Sequence, residues 1–209
     1  PSASPATTTA TTITPEILRK VRSAVKEYYQ DATLIDEPVL TLQELSLAPV
    51  LMVDILKDLI CQAVESSSTP NCEALVVLLV KLHTTTMLSS EHATNGLYKF
   101  LNALDDFMID VPKAGVLGSL IVGRLILHKV ASLSLFGALP SDNDFGICTK
   151  AADFIVMVMA EIGTEQGVEE MYKTSGIDLL PMIMAPPSET AEDVLKSLAT
   201  KHALPFLLA

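Results

Sequence analysis

The sequence predicts an all-α fold of stacked antiparallel helix pairs, an α-solenoid of atypical HEAT-like repeats. Three observations carry that expectation. Apolar residues recur at spacings of three and four along most of the chain. No stretch alternates apolar and polar residues between turn signals, as a strand would. Helix starts near Thr14, Ala48 and Ser89 are 34 and 41 residues apart, with two helices in each interval. That is the length of a helix-pair repeat, each pair burying its apolar face on the next.

Residues 1–13 are expected to be a disordered linker. Pro1 to Thr12 holds no charge and no large apolar group, so it buries too little surface to offset the entropy of ordering. Thr14-Pro15-Glu16 is a helix start: a capping hydroxyl, Pro at the first helical position, then an acid in the first turn. Ile17, Leu18, Val21, Val25 and Tyr28 continue it to about Gln30. Asp36-Glu37-Pro38 opens a short second helix through Leu45, and Ala48-Pro49 a third through Val64. Thr69-Pro70 opens a fourth, to about Thr86. Ser89-Ser90-Glu91 opens a fifth, with Leu97, Phe100, Leu101, Leu104 and Met108 facing inward. Asp110-Val111-Pro112 opens a sixth, to about Lys129. Three of these starts share a polar residue followed by Pro, and proline forces the residue before it out of the helical region, ending what precedes it. The connections are short, which favours antiparallel neighbours.

Leu139 to Asp144 reads as the clearest internal loop. A seventh helix is expected from about Asp144 to Ile162, ended by Gly163, and another over Thr164–Lys173, closed by Ser175-Gly176. Ile177 to Met184 reads as a short helix, broken by Ala185-Pro186-Pro187. Ser188 to His202 reads as a terminal helix, followed by an apolar tail.

Composition excludes several classes. The chain has 209 residues, three of them Cys, so it is no disulfide scaffold. Cys61, Cys72 and Cys148 are expected to be small buried hydrophobes in a reducing, cytoplasmic compartment. The apolar runs Ala74–Val80 and Phe154–Ala160 each end in a charge, short of the roughly 18 residues of a membrane span. The first residue is Pro and no basic-then-apolar leader is present, so a piece of a longer protein is expected.

The net charge is −11 and unevenly placed. Residues 1–30 carry +2, 31–110 carry −9, 111–130 carry +3 and 131–209 carry −7. A field of that sign steers basic partners and repels phosphate backbones, so direct RNA binding is not expected. Arg19, Arg22 and Lys26 form a small basic face on the first helix, read as solvated, with Lys20 pairing to Glu16.

Catalytic patterns are missing. There is no phosphate loop, dinucleotide fingerprint, zinc-protease helix or nucleophile elbow. His83, His92, His128 and His202 fall in different elements without ligand spacing, and Ser23 and Lys26 lack companion motifs. No metal, cofactor or small-molecule ligand is expected, and the chain is not expected to be an enzyme. One carboxylate cluster stands out: Asp105, Asp106 and Asp110. Asp106 and Asp110, four apart, are expected on one face of the last turn of the fifth helix, where they oppose its dipole. Asp110 gains an explanation as a cap of the next helix; Asp106 has none and suits docking to Arg or Lys.

The stretch from Asn95 through Leu104-Asp105-Asp106-Phe107-Met108-Ile109-Asp110-Val111-Pro112-Lys113-Ala114 resembles the signature of the MA3 domain. There, a helix ending with an acidic pair runs into an Asp-x-Pro-x-Ala helix start. Leu42-Gln43-Glu44-Leu45 followed by Ala48-Pro49 is similar to the domain's beginning, while Asp31 to Leu40 departs from the family pattern. The similarity covers residues 14–136, leaving 137–209 as a helical C-terminal extension packed on it. Leu179-Leu180-Pro181 and Leu204-Pro205-Phe206-Leu207-Leu208 look like the extension of initiation factor 4G relatives, including those of the death-associated protein 5 type.

The resemblance implies a helical stack that binds the DEAD-box RNA helicase initiation factor 4A during translation initiation. It puts the helicase-contacting acids at Asp106 and Asp110, with Pro112 shaping the loop and Asp105 and Val111 on the same surface. An inhibitory protein resembling programmed cell death protein 4, which sequesters the helicase, shares the same fold. A helical scaffold for an unrelated protein is the alternative from another class.

Overall fold

Thr14 opens the first helix as its sequence predicts: its hydroxyl accepts from Ile17 N at 3.3 Å, and Pro15 is the first helical residue. The computed structural model describes residues 12–140, 143–147 and 150–208. The linker expectation over residues 1–11, Ser141-Asp142 of the internal loop and Cys148 lie outside the described residues.

Among the described residues there are ten α-helices and no strand. They are α1 (Pro15–Gln30), α2 (Asp36–Glu44), α3 (Leu51–Glu65), α4 (Thr69–Thr84) and α5 (Ser90–Asn102), then α6 (Leu104–Asp110), α7 (Ala114–Leu127), α8 (Ala151–Ile162), α9 (Val168–Ser175) and α10 (Ala191–Lys201).

The helices pack in pairs, as the periodicity predicts. In α5, Gly96 faces Leu56 of α3 so closely that a Cβ would meet Leu56 Cδ2 at 2.6 Å, and Lys99 pairs with Asp54. Partner numbers fall as α5 advances, so α3 and α5 are antiparallel. Tyr28 of α1 donates its hydroxyl to Ala74 O of α4 at 3.1 Å, and Lys81 of α4 pairs with Asp36 of α2. Helix α7 lies between α4 and α8. A single apolar core runs from Val21 of α1 to Leu207 near the C-terminus. At its centre Phe145 and Phe154 meet edge to face with ring centroids 5.5 Å apart, and Phe100 and Phe136 are buried beside them.

Several boundaries differ from expectation for identifiable reasons. Thr86 and Lys129 adopt the left-handed conformation (φ 61° at each), so α4 and α7 stop two residues earlier than expected. In the second case Val130 N bonds Leu125 O and Lys129 N bonds Ile126 O, both at 2.9 Å, closing the helix as glycine usually does. The fourth helix is capped by Ser68, one residue before the expected start. The third begins at Leu51, two residues after Pro49, and α7 begins at Ala114, two after Pro112.

The expected helix from Asp144 is a 3-10 turn (Asp144–Ile147) and then α8, while Gly163 ends α8 at φ 81° as predicted. The expected helix over Thr164–Lys173 is divided by Gly167, left-handed at φ 79°, into a 3-10 turn and α9. The expected helix over Ile177–Met184 is one 3-10 turn, Leu180–Met182. Helix α10 starts at Ala191 rather than Ser188, where Thr190 and Asp193 cap each other's amides.

Candidate functional site

The clearest departure is at the acidic junction. The fifth helix does not run on to Met108. It ends at Asn102, and Ala103 N turns tightly to Phe100 O at 3.1 Å. A separate seven-residue helix, α6, follows, restarting with Phe107 N bonded to Ala103 O at 3.0 Å. Leu104 is its one fully buried side chain. Phe107, Met108 and Val111 are half-buried, completing an inward stripe at helical spacing. Met108 rests over Gly115 of α7, where a Cβ would come within 3.2 Å of its Sδ. Met108 thus faces inward as expected, partly buried against the core at the contact between α6 and α7.

This geometry revises the reading of the aspartates. Asp105 and Asp106 occupy the first turn of α6, where a negative charge favours the helix dipole. Asp106 thus has the structural explanation that its expected place at a helix end denied it. Asp110 is the last residue of α6, opposes its dipole, and does not cap α7. The capping position of α7 is Lys113, without a side-chain hydrogen bond. Val111 is extended (φ −122°, ψ 91°), as expected before Pro112, and its carbonyl accepts from Ala114 N at 2.8 Å. That turn sets α7 off from α6.

The structure brings the five predicted residues together on one short helix and the turn after it. Asp105, Asp106, Asp110 and Pro112 are exposed, and Val111 is half-buried. Asp106 and Asp110 share one face, one helical turn apart, and neither has a hydrogen-bond or ion-pair partner among the described residues. Two exposed apolar residues not singled out by the sequence reading lie on these helices: Ile109 of α6, 78% exposed, and Val116 of α7, 58% exposed. The signal for Ile109 was its phase, since it lies outside the 104, 107, 108 and 111 stripe. The result is an apolar spot among carboxylates, suited to a partner with basic and apolar side chains.

The surroundings offer little else for chemistry. A hollow of about 430 Å³ beside α5 is lined by Val50, Asp54, Tyr98, Lys99, Asn102 and Asn143. Its polar groups are largely committed: Lys99 to Asp54, Asn102 Oδ1 to Asp144 N at 2.7 Å, and Asn143 Nδ2 to Tyr98 O at 3.0 Å. The described histidines stay apart, with His83 Nδ1 at 2.8 Å from Leu88 O and His92 Nδ1 at 2.7 Å from Ser89 Oγ. No group of three or more His, Cys, Asp or Glu able to hold a metal occurs among the described residues. Cys72 is buried, which pushes its thiol up to about 11, and burial raises the half-buried Cys61 as well. Neither thiol is activated as a nucleophile. No described helix is long and apolar enough to cross a membrane.

A search of curated proteins finds no match to the chain. The profile of one family, described as the MA3 domain, matches residues 17–132, more than half of the chain and all of α6. MA3 domains, found in initiation factor 4G, PDCD4 and DAP5, are non-catalytic protein-binding domains. The match, together with the paired-helix fold, shows that the chain belongs to the MA3 domain family.

Proposed function

We propose that this chain is a translation-initiation scaffold domain that binds the DEAD-box RNA helicase initiation factor 4A through α6. MA3 domains typically bind that helicase. One observation carries the assignment to α6: exposed Asp106 and Asp110, one turn apart, flank exposed Ile109. Arg or Lys side chains of the helicase pair with the two carboxylates, and Ile109 and Val116 supply apolar contact. Asp105 and Pro112 border the surface, and half-buried Val111 holds it in place. Oppositely charged surfaces speed encounter, and salt screens that gain.

The same reading makes residues 14–136 the MA3 unit and 137–209 a helical extension to it. One contact across the boundary supports that extension: a Cβ on Gly123 of α7 would meet Glu161 Cβ of α8 at 2.7 Å.

Surface plasmon resonance with purified initiation factor 4A tests the partner. The expected result is saturable binding whose association rate falls as salt rises. Absence of binding at micromolar concentrations overturns the assignment.

A further inference from the structure

A second charged surface has the opposite sign. A hollow of about 350 Å³ between α1 and α3 is lined by Leu18, Arg19, Arg22, Ser23, Lys26 and Gln62, with no carboxylate on its wall. The basic face read as solvated is therefore one side of a groove. Arg22 is fixed there: its Nε donates to Asp58 Oδ2 at 2.8 Å and its Nη2 to Asp58 Oδ1. The Nη1 hydrogens remain for a ligand. Lys20 pairs with Glu16 at 3.4 Å, whereas Arg19 and Lys26 have no ion pair among the described residues.

Glu27, Glu37 and Glu44 line a separate hollow on the α2 side, with Arg19 and Lys20. On the α3 side the nearby carboxylates are Asp58, which pairs with Arg22, and Glu65, so the charge left for an anion comes mainly from Arg19 and Lys26. Residues 1–13, which precede α1, contain no acid and cannot supply the missing charge.

The shape of the ligand follows. Arg19, Arg22 and Lys26 span roughly 10 Å along the helix, matched by an extended segment of about three residues. Gln62 Oε1 is buried without a hydrogen-bond partner. That oxygen is closed to solvent, so a ligand reaches it only once the Gln62 side chain turns; the turned amide suits a peptide backbone, which both donates and accepts, better than a phosphodiester, which only accepts. No aromatic side chain lines the hollow to stack a base.

We infer that the α1–α3 groove docks an acidic peptide segment of a partner protein, its carboxylates on Arg19, Arg22 and Lys26 and an apolar side chain on Leu18. This site uses no residue of α6, so it stands or falls apart from the helicase reading.

The test is an NMR titration of the isotope-labelled 209-residue chain. The probes are a short peptide of alternating Glu and Leu, its Gln-for-Glu counterpart, and a short single-stranded RNA. Amide shifts centred on Arg19, Arg22, Ser23, Lys26 and Gln62 are expected with the Glu peptide only, weakening as salt rises. Arg19→Glu with Lys26→Glu should lower that affinity about tenfold. Arg19→Gln with Lys26→Gln, which adds no repulsion and suits a helix, should lower it less. Equal binding of the Gln peptide, shifts centred elsewhere, unaltered affinity in both variants, or tighter binding of RNA overturns the proposal.

Discussion

Helices α6 and α7 are separated by three residues and serve opposite ends. In α7, ten of its 14 residues are buried, and three of those are glycines that let neighbouring side chains approach the backbone. In α6, one of seven residues is buried. Helix α7 carries no acid, whereas α6 carries three. One is a spine whose composition is explained by packing on α4 and α8. The other is held by Leu104, Phe107 and Met108, and its exposed surface is unexplained by packing. A surface that the core does not require is where binding is most economically read.

That contrast can be broken at either end. Phe100, fully buried against the α7 side of the core, is the most severe test of packing: Phe100→Ala should cost about 3–5 kcal/mol. A urea unfolding midpoint that hardly moves would contradict the core as described. Gly123→Ala comes next, because the new Cβ would press on Glu161 Cβ and, at 3.0 Å, on the Val158 carbonyl of α8. A loss of about 1–3 kcal/mol is expected, with helicase affinity unchanged under folding conditions. Thr190→Ala removes the reciprocal cap of α10 and should lower stability by about 1 kcal/mol, read in thermal melts. The smallest effect on stability belongs to α6. Ile109→Ser should fall within about 0.5 kcal/mol of the parent while weakening helicase binding. If it unfolds the domain instead, the division between α6 and α7 is mistaken.

Much of the fold was legible because apolar periodicity and Pro-marked starts report directly on local chemistry. Thr14, Ser89 and Gly163 act where the sequence placed them. Helix ends were less legible where the stop is a left-handed Thr86 or Lys129, since such stops are usually read from glycine. The five acidic-junction residues were singled out from sequence, but their setting was not legible, and exposed Ile109 was passed over. Nothing local to Ala103 announces a break between α5 and α6; the turn there is followed at once by the fully buried Leu104. That misplacement put Asp106 at a helix end when it sits in a first turn, and credited Asp110 with a cap it does not make. The basic groove was legible as spacing, while its wall depends on α3 and the Arg22–Asp58 pair, 36 residues apart in sequence.

The most direct measurement is a calorimetric titration of initiation factor 4A into the chain carrying Asp106→Lys and Asp110→Lys. Both side chains are exposed and unpaired among the described residues, so the melting temperature should stay near that of the parent. Losing interface charge pairs typically costs about 2–5 kcal/mol, a fall of roughly thirtyfold or more in affinity. That fall, with unchanged melting, is the predicted result; parental affinity in the double variant would contradict α6 as the binding surface.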